Sequence, residues 1–160
     1  MRNTQIPLFT PETEWVMPDS LKELKGYKEI AIDLETNDPN LLTLGSANVA
    51  GDGHIVGVAV AVDGWKGYYP VAHEGGGNMD KKLVYSWLQD ILNQTDTTFI
   101  FHNAMYDVCW LRREGLTING HIVDTMIAAS LIDENRLSYQ LNTLAKHYVG
   151  IGKDEKILLE

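Results

Sequence analysis

The sequence predicts an α/β fold, and three stretches carry that prediction. Residues 30–36, Ile-Ala-Ile-Asp-Leu-Glu-Thr, form an apolar, β-branched run that ends in two acids one residue apart. Residues 55–62 alternate valine with small residues and lead into Asp63-Gly64, a strong hairpin signal followed by a returning strand over 65–70. Beyond Asp80, apolar stripes at helical spacing alternate with short strand-like runs.

Taken in order, residues 1–28 contain Pro7, Pro11 and Pro18, which interrupt regular structure. They read as an N-terminal arm or edge strand, with Ser20 capping a short helical turn through Leu24. A strand over 29–35 follows. Residues 37–54 are rich in Asn, Asp, Gly and Pro and read as a loop, within which Leu41, Leu42 and Leu44 are expected to tuck into the core. The alternative for these leucines, Leu41 included, is a wedge against a substrate base. In the next strand Val56, Val58, Val60 and Val62 share one face. Residues 73–78, with Gly75-Gly76-Gly77, read as a mobile loop. They lack the Gly-Lys-Ser/Thr ending of a nucleotide-binding P-loop.

Asp80 is placed to cap a helix whose stripe is Leu83, Val84, Trp87, Leu88, Ile91 and Leu92. A strand over 98–101 runs at once into His102-Asn103 and a helix ended by Gly115. A short strand or extended link over 117–122, a helix capped by Asp124 and running through Leu131, and a helix from Ser138 with Leu141, Leu144, Ala145 and Tyr148 on its apolar face complete the reading. Gly150 and Gly152 end that last helix. Residues 29–160 are expected to form one domain, incomplete at its C-terminal side.

Composition narrows the classes. The 160 residues are 44% hydrophobic and 22% charged, as in ordinary globular proteins, and can bury a core. No apolar run is long enough to span a membrane, and the first residues lack the features of a signal peptide. The single cysteine, Cys109, excludes an internal disulfide and fits a reducing cytoplasm; it reads as a packed thiol. A net charge of −9 opposes broad sequence-independent binding to nucleic acid. It is compatible with an enzyme that reaches phosphates through metal ions held by clustered acids.

On a strand, residues two apart share a face. Asp33 and Glu35 therefore stand together while Ile30, Ile32 and Leu34 face a core. Adjacent carboxylates repel, and a hard divalent cation with oxygen ligands relieves the repulsion. The plain alternative is a strand end running into solvent. Asn103 and Asp107, four apart on a helix, share a face. Asn103 can cap that helix, but Asp107 sits among Val108, Trp110 and Leu111 and needs a partner. If the helix crosses the first strand, Asp107 joins Asp33 and Glu35. Three convergent carboxylates suit two metal ions roughly 4 Å apart, an arrangement that cuts phosphodiester bonds.

These residues carry a resemblance. Asp33-Leu34-Glu35-Thr36 and Asn103-Ala104-Met105-Tyr106-Asp107 resemble the first two motifs of the DEDD 3′–5′ exonucleases, most closely the proofreading domain of phage-type family-A DNA polymerases. The segments 123–126 and 138–145 are similar to those that follow in that family. The resemblance implies a ribonuclease-H-like fold, a mixed central β-sheet flanked by helices. It also implies two divalent cations, Mg2+ or Mn2+, held by Asp33, Glu35 and Asp107, with Thr36, Leu41, His102, Asn103 and Tyr106 along the substrate groove. The implied partners are a single-stranded DNA 3′ end and a covalently following polymerase domain, in a phage or bacterial cytoplasm and with no membrane. One departure stands out. The family's third motif, in its Tyr-x-x-x-Asp form, does not occur here, so the chain is expected to be a fragment of weak or absent activity. RNA trimming by the same chemistry, and a silent strand-binding module, are the alternatives. Tyr68, Tyr69, Tyr106 and Trp110 are candidate stacking residues that do not separate DNA from RNA. Ser46, Ser86 and Ser130 lack a Gly-x-Ser-x-Gly setting, which leaves a serine hydrolase unsupported.

Overall fold

The structure is a computed structural model that describes residues 16–46 and 51–152. The expected arm therefore lies outside the described residues up to position 15, as do positions 47–50 and the segment from Lys153 to Glu160.

The first strand, β1 (Glu29–Asn37), is the middle of a five-stranded sheet. With β2 (His54–Val62), β3 (Trp65–Pro70), β4 (Thr98–Phe101) and β5 (His121–Asp124), the spatial order is β3-β2-β1-β4-β5. β1 pairs antiparallel with β2 and parallel with β4; β2 and β3 form the expected hairpin, and β4 and β5 run parallel. Parallel neighbours need a crossover, and helices supply it. α2 (Lys81–Leu92) lies between β3 and β4, and α3 (Ala104–Arg113) joins β4 to β5. A one-turn helix, α1 (Leu41–Leu44), interrupts the loop after β1, and α4 (Thr125–Ile132) and α5 (Leu141–Tyr148) follow β5.

Strand alternation sorts the two faces of β1. Ile30, Ile32 and Leu34 are buried with Val58, Val60, Phe99, Val84, Leu88, Trp110 and Leu111 in the core beneath α2 and α3. The opposite face carries small residues: Ala31 faces Ala61 and Asp33 faces Ala59 across the β1–β2 pair. That face borders a cavity of about 1130 Å³ whose lining includes Ala31, Asp33, Ala59, Tyr68 and His102.

Several local expectations are corrected. No helix forms over 20–24, because tertiary partners claim the backbone there. Lys22 N–H donates to the Tyr69 hydroxyl, Lys22 C=O accepts from Trp87 Nε1, and Leu24 is buried. Val56 leaves the valine face, since the register slips between Glu35 and Thr36 and brings Ile55 into the core instead. The displaced Val56 carbonyl accepts from the N–H groups of Val71 and Ala72, which is how a bulge re-aims a strand. Leu83 is exposed, while Val84, Leu88, Ile91 and Leu92 are buried. The helix expected from Ser138 begins at Leu141, and of its apolar face only Leu144 is buried. The leucines after β1 are not tucked away: Leu41 is 42% exposed, Leu42 99% and Leu44 70%.

Gly120 is fixed by a close approach. A Cβ there would run into the carbonyl oxygens of Thr97 and Gln94 and the Phe99 ring as the chain enters β5. Gly120→Ala is expected to lower stability by roughly 1–3 kcal/mol. Thermal unfolding would show it, and an unchanged Tm would refute the close approach.

Candidate active site

β4 pairs only with residues 29–31 of β1. Beyond Ala31, the β4-side edge of β1 is open, and α3 fills it. Asp107, in the first turn of α3, accepts a hydrogen bond from Leu34 N–H at 3.0 Å through Oδ1. Its carboxylate thereby reaches the backbone link between Asp33 and Glu35. Asp107 is 3% exposed. Burial pushes its pKa up; the Leu34 N–H opposes this, the negative charges of Asp33 and then Asp124 add to it, and the result is about 7.

What aims α3 is a carboxylate further along the chain. Asp124 accepts from the N–H groups of Asn103 at 3.0 Å and Ala104 at 2.8 Å. It also caps α4 through Met126 N–H at 2.9 Å and Ile127 N–H at 3.4 Å. One side chain thus caps two helices. Burial acts to raise the Asp124 pKa, and the four backbone donors outweigh it and hold it below the ordinary carboxylate value. Asn103 adopts a left-handed conformation, φ 65 and ψ 54, which asparagine tolerates better than most residues. Its side chain makes no cap bond, contrary to the capping role open to it from sequence. The turn at Asn103 is held by its N–H instead.

A second link joins α3 to the loop bearing α1. The Tyr106 hydroxyl lies 2.7 Å from Thr36 Oγ1 and donates to Asp38 Oδ2 at 3.1 Å. A carboxylate only accepts, so the phenol proton goes to Asp38 and Thr36 donates to the phenol oxygen. Ser46 Oγ donates to the same Asp38 oxygen at 3.2 Å. His102, at the end of β4, sits 2.9 Å from Thr125 Oγ1, which itself donates to Phe101 C=O at 3.0 Å. His102 Nδ1 therefore carries the proton toward Thr125, and the ring borders the cavity that Asp33 also lines.

The expected site residues thus divide. Asp33 and Glu35 are exposed on the open face of β1, and Asp107 approaches from α3 close enough for the Asp33 charge to act on it. Thr36 and Tyr106 are directly bonded. Leu41 stands exposed on α1. Tyr69 and Trp110 are fully buried, so neither is available to stack on a base. Among the described residues, no three His, Cys, Asp or Glu side chains close around a common point. The donor set nonetheless suits a cation. Asp107 is a buried carboxylate penalised by burial and by a neighbouring acid, and a positive charge beside it removes both penalties. Sequence reasoning found Asp124 as the cap of α4 but missed α3, because no local pattern marks a partner 20 residues upstream. Asp38 lies in a stretch whose composition marks it only as loop.

Comparison with known proteins bears on the family and the fold. A family model described as the 3′–5′ exonuclease of DNA polymerase A matches residues 9–160. A DNA-directed DNA polymerase of Pseudomonas phage M6 is 36% identical over 165 residues, covering 99% of this chain and 25% of the relative. DNA polymerase I of Borreliella burgdorferi is 27% identical over 138 residues, covering 86% of this chain and 14% of the relative. The chain thus spans a quarter or less of the length of these relatives. Brucella melitensis NrnC with bound Mg2+ superposes with a TM-score of 0.61 at 17% identity, over 82% of this chain and 58% of that one. That likeness concerns the fold, which is the ribonuclease-H-like one: a mixed sheet flanked by helices.

Proposed function

The chain belongs to the 3′–5′ exonuclease family of DNA polymerase A, and on that footing we propose that it is the proofreading exonuclease domain of a DNA polymerase, removing nucleotides from a single-stranded DNA 3′ end. The observation that carries this reading is Asp107, buried against the β1 backbone between Asp33 and Glu35 and raised in pKa by burial and by Asp33. Asp33, Glu35 and Asp107 would hold two divalent cations, Mg2+ or Mn2+. Bound there, such ions supply an activated water and charge neutralisation at the leaving 3′ oxygen.

The remaining groups act on the substrate. Thr36 donates its proton to Tyr106, so its oxygen presents lone pairs to the groove and can accept from a sugar hydroxyl. Tyr106 and Asp38 hold that oxygen still. The exposed leucines of α1, Leu41 among them, offer an apolar surface to an unstacked base. His102 and Asn103 would line the groove at the start of α3. The relatives are DNA polymerases several times the length of this chain, which supports a polymerase domain joined to it in one polypeptide.

The test is nucleotide release from 3′-labelled single-stranded DNA and RNA, with Mg2+, with Mn2+ and with EDTA. Asp33→Ala serves as the control. Weak metal-dependent release from DNA, lost in the control, is the expected result for this chain, which lacks a Tyr-x-x-x-Asp motif. Release from RNA alone would transfer the reading to an RNA-trimming enzyme. Strand binding that is indifferent to both EDTA and Asp33→Ala would make the chain a silent binding module. Tyr106→Phe removes two hydrogen bonds, each worth about 1 kcal/mol. It is expected to raise KM for DNA roughly five- to tenfold with kcat little changed; a fall in kcat at constant KM would place Tyr106 in the chemistry instead.

A further inference from the structure

Across the open face of the sheet, Asp33, Ala59 and Tyr68 stand in one cross-strand row. In the adjoining row Glu35 faces Gly57, which has no side chain. The Tyr68 ring leans into the space Gly57 leaves. A methyl group built on Gly57 would overlap the Tyr68 hydroxyl and Cζ. Opposed Cβ atoms in an antiparallel pair lie about 4.5–5.5 Å apart. A hydroxyl occupying the place of the missing Cβ is therefore within reach of the Glu35 carboxylate. Tyr68 is close enough to Glu35 for the carboxylate's charge to act on the phenol.

The other side of the phenol is anchored. Its hydroxyl is hydrogen-bonded to His73 Nε2, and the two rings meet edge to face with centroids 5.7 Å apart. His73 is fixed in turn by Asn78: His73 N–H donates to Asn78 Oδ1 at 2.7 Å, and Asn78 Nδ2 donates to His73 C=O at 2.9 Å. Between them, Gly75, Gly76 and Gly77 all have positive φ, which lets the chain fold back so tightly. The glycine run thus closes a loop that holds an imidazole against a phenol.

We infer that Tyr68 is a positioning residue for Glu35: its hydroxyl orients the Glu35 carboxylate toward the divalent cation, and His73 and Asn78 hold the hydroxyl in place. This rests on Glu35 being a cation ligand, as in the function proposed above. An exposed glutamate on a strand has many side-chain conformations, and a hydrogen-bond partner behind the ligand selects one of them. A ring that only covered the glycine and met His73 would leave metal affinity unchanged when its hydroxyl is removed.

That difference is measurable. The chain is labelled with 13Cζ-tyrosine, and the Tyr68 resonance, identified by its loss in Tyr68→Phe, is followed during Mg2+ titration. Mn2+ affinity is measured in parallel by electron paramagnetic resonance. The Tyr68 signal is expected to shift with Mg2+ in the parent and to stay still in Glu35→Gln. Tyr68→Phe should weaken Mn2+ binding about tenfold or more, in the range typical of residues behind a metal ligand, with Tm unchanged. Gly57→Ala, which displaces the ring while leaving every acid in place, should weaken it likewise. Mn2+ affinity of Tyr68→Phe within twofold of the parent, with Glu35→Gln impaired, overturns the inference alone. Mn2+ affinity indifferent to Glu35→Gln overturns both the inference and the ligand role beneath it.

Discussion

Asp107→Asn is expected to yield a protein that is more stable than the parent above pH 7 and strongly impaired in metal-dependent hydrolysis. The amide keeps an oxygen for Leu34 N–H and sheds the charge that burial and Asp33 penalise. The carboxyl pKa rises on folding from 3.8 to about 7. The folded state therefore binds the proton more tightly, and stability falls as pH rises from about 4 to about 7. Each pKa unit corresponds to about 1.4 kcal/mol, so removing the charge is expected to stabilise the protein by about 2–4 kcal/mol at pH 8. For a chain of this size that is a rise in Tm of roughly 5–10 °C. At pH 4 the gain should vanish. Saturating Mg2+ should stabilise the parent at pH 8 and have little effect on the variant, because ligand and substitution relieve the same penalty. Activity should fall about a thousandfold, the loss of several kcal/mol of charge stabilisation. Equal Tm for variant and parent at pH 8 would show that Asp107 carries no such penalty.

Asp124→Ala should have the opposite effect on stability. It leaves two N–H groups at the start of α3 and two at the start of α4 without their shared acceptor. A lost N-cap costs about 0.5–2 kcal/mol, so two together should cost about 2–4 kcal/mol. Asp124→Asn keeps one acceptor oxygen and should recover part of that loss. Asp124 also differs from Asp107 in its response to pH. Its pKa is lowered on folding, so its contribution persists at neutral pH and is lost only as pH falls below the ordinary carboxylate value. The second readout is local. The Leu34 amide, bonded to Asp107, should exchange its hydrogen faster in Asp124→Ala, because α3 is no longer aimed at β1. A variant that melts within a degree of the parent and protects Leu34 equally would show that α3 is placed by core packing alone.

Much of this molecule is written locally in its sequence. Period-two alternation in β1 puts Ile30, Ile32 and Leu34 on one face and Asp33 and Glu35 on the other, and any strand with that pattern does the same. Asp63-Gly64 closes the hairpin, Asp80 caps α2 through Leu83 N–H, and Gly115 with φ 81 ends α3. Each signal acts within a few residues of itself, so a window of sequence contains its cause. The candidate site does not share that property. Asp107 meets Leu34 across 73 positions, Tyr106 meets Thr36 across 70, and Asp124 caps a helix that starts 20 positions before it. The bulge that exchanges Val56 for Ile55 in the core and the ring of Tyr68 over Gly57 depend on strand register in the same way. By itself the sequence determined which acids could meet and which elements carry them. Whether Asp107 is buried, what proton affinity it has and what holds it there were decided by the tertiary structure, because burial and charge proximity are properties of neighbours in space.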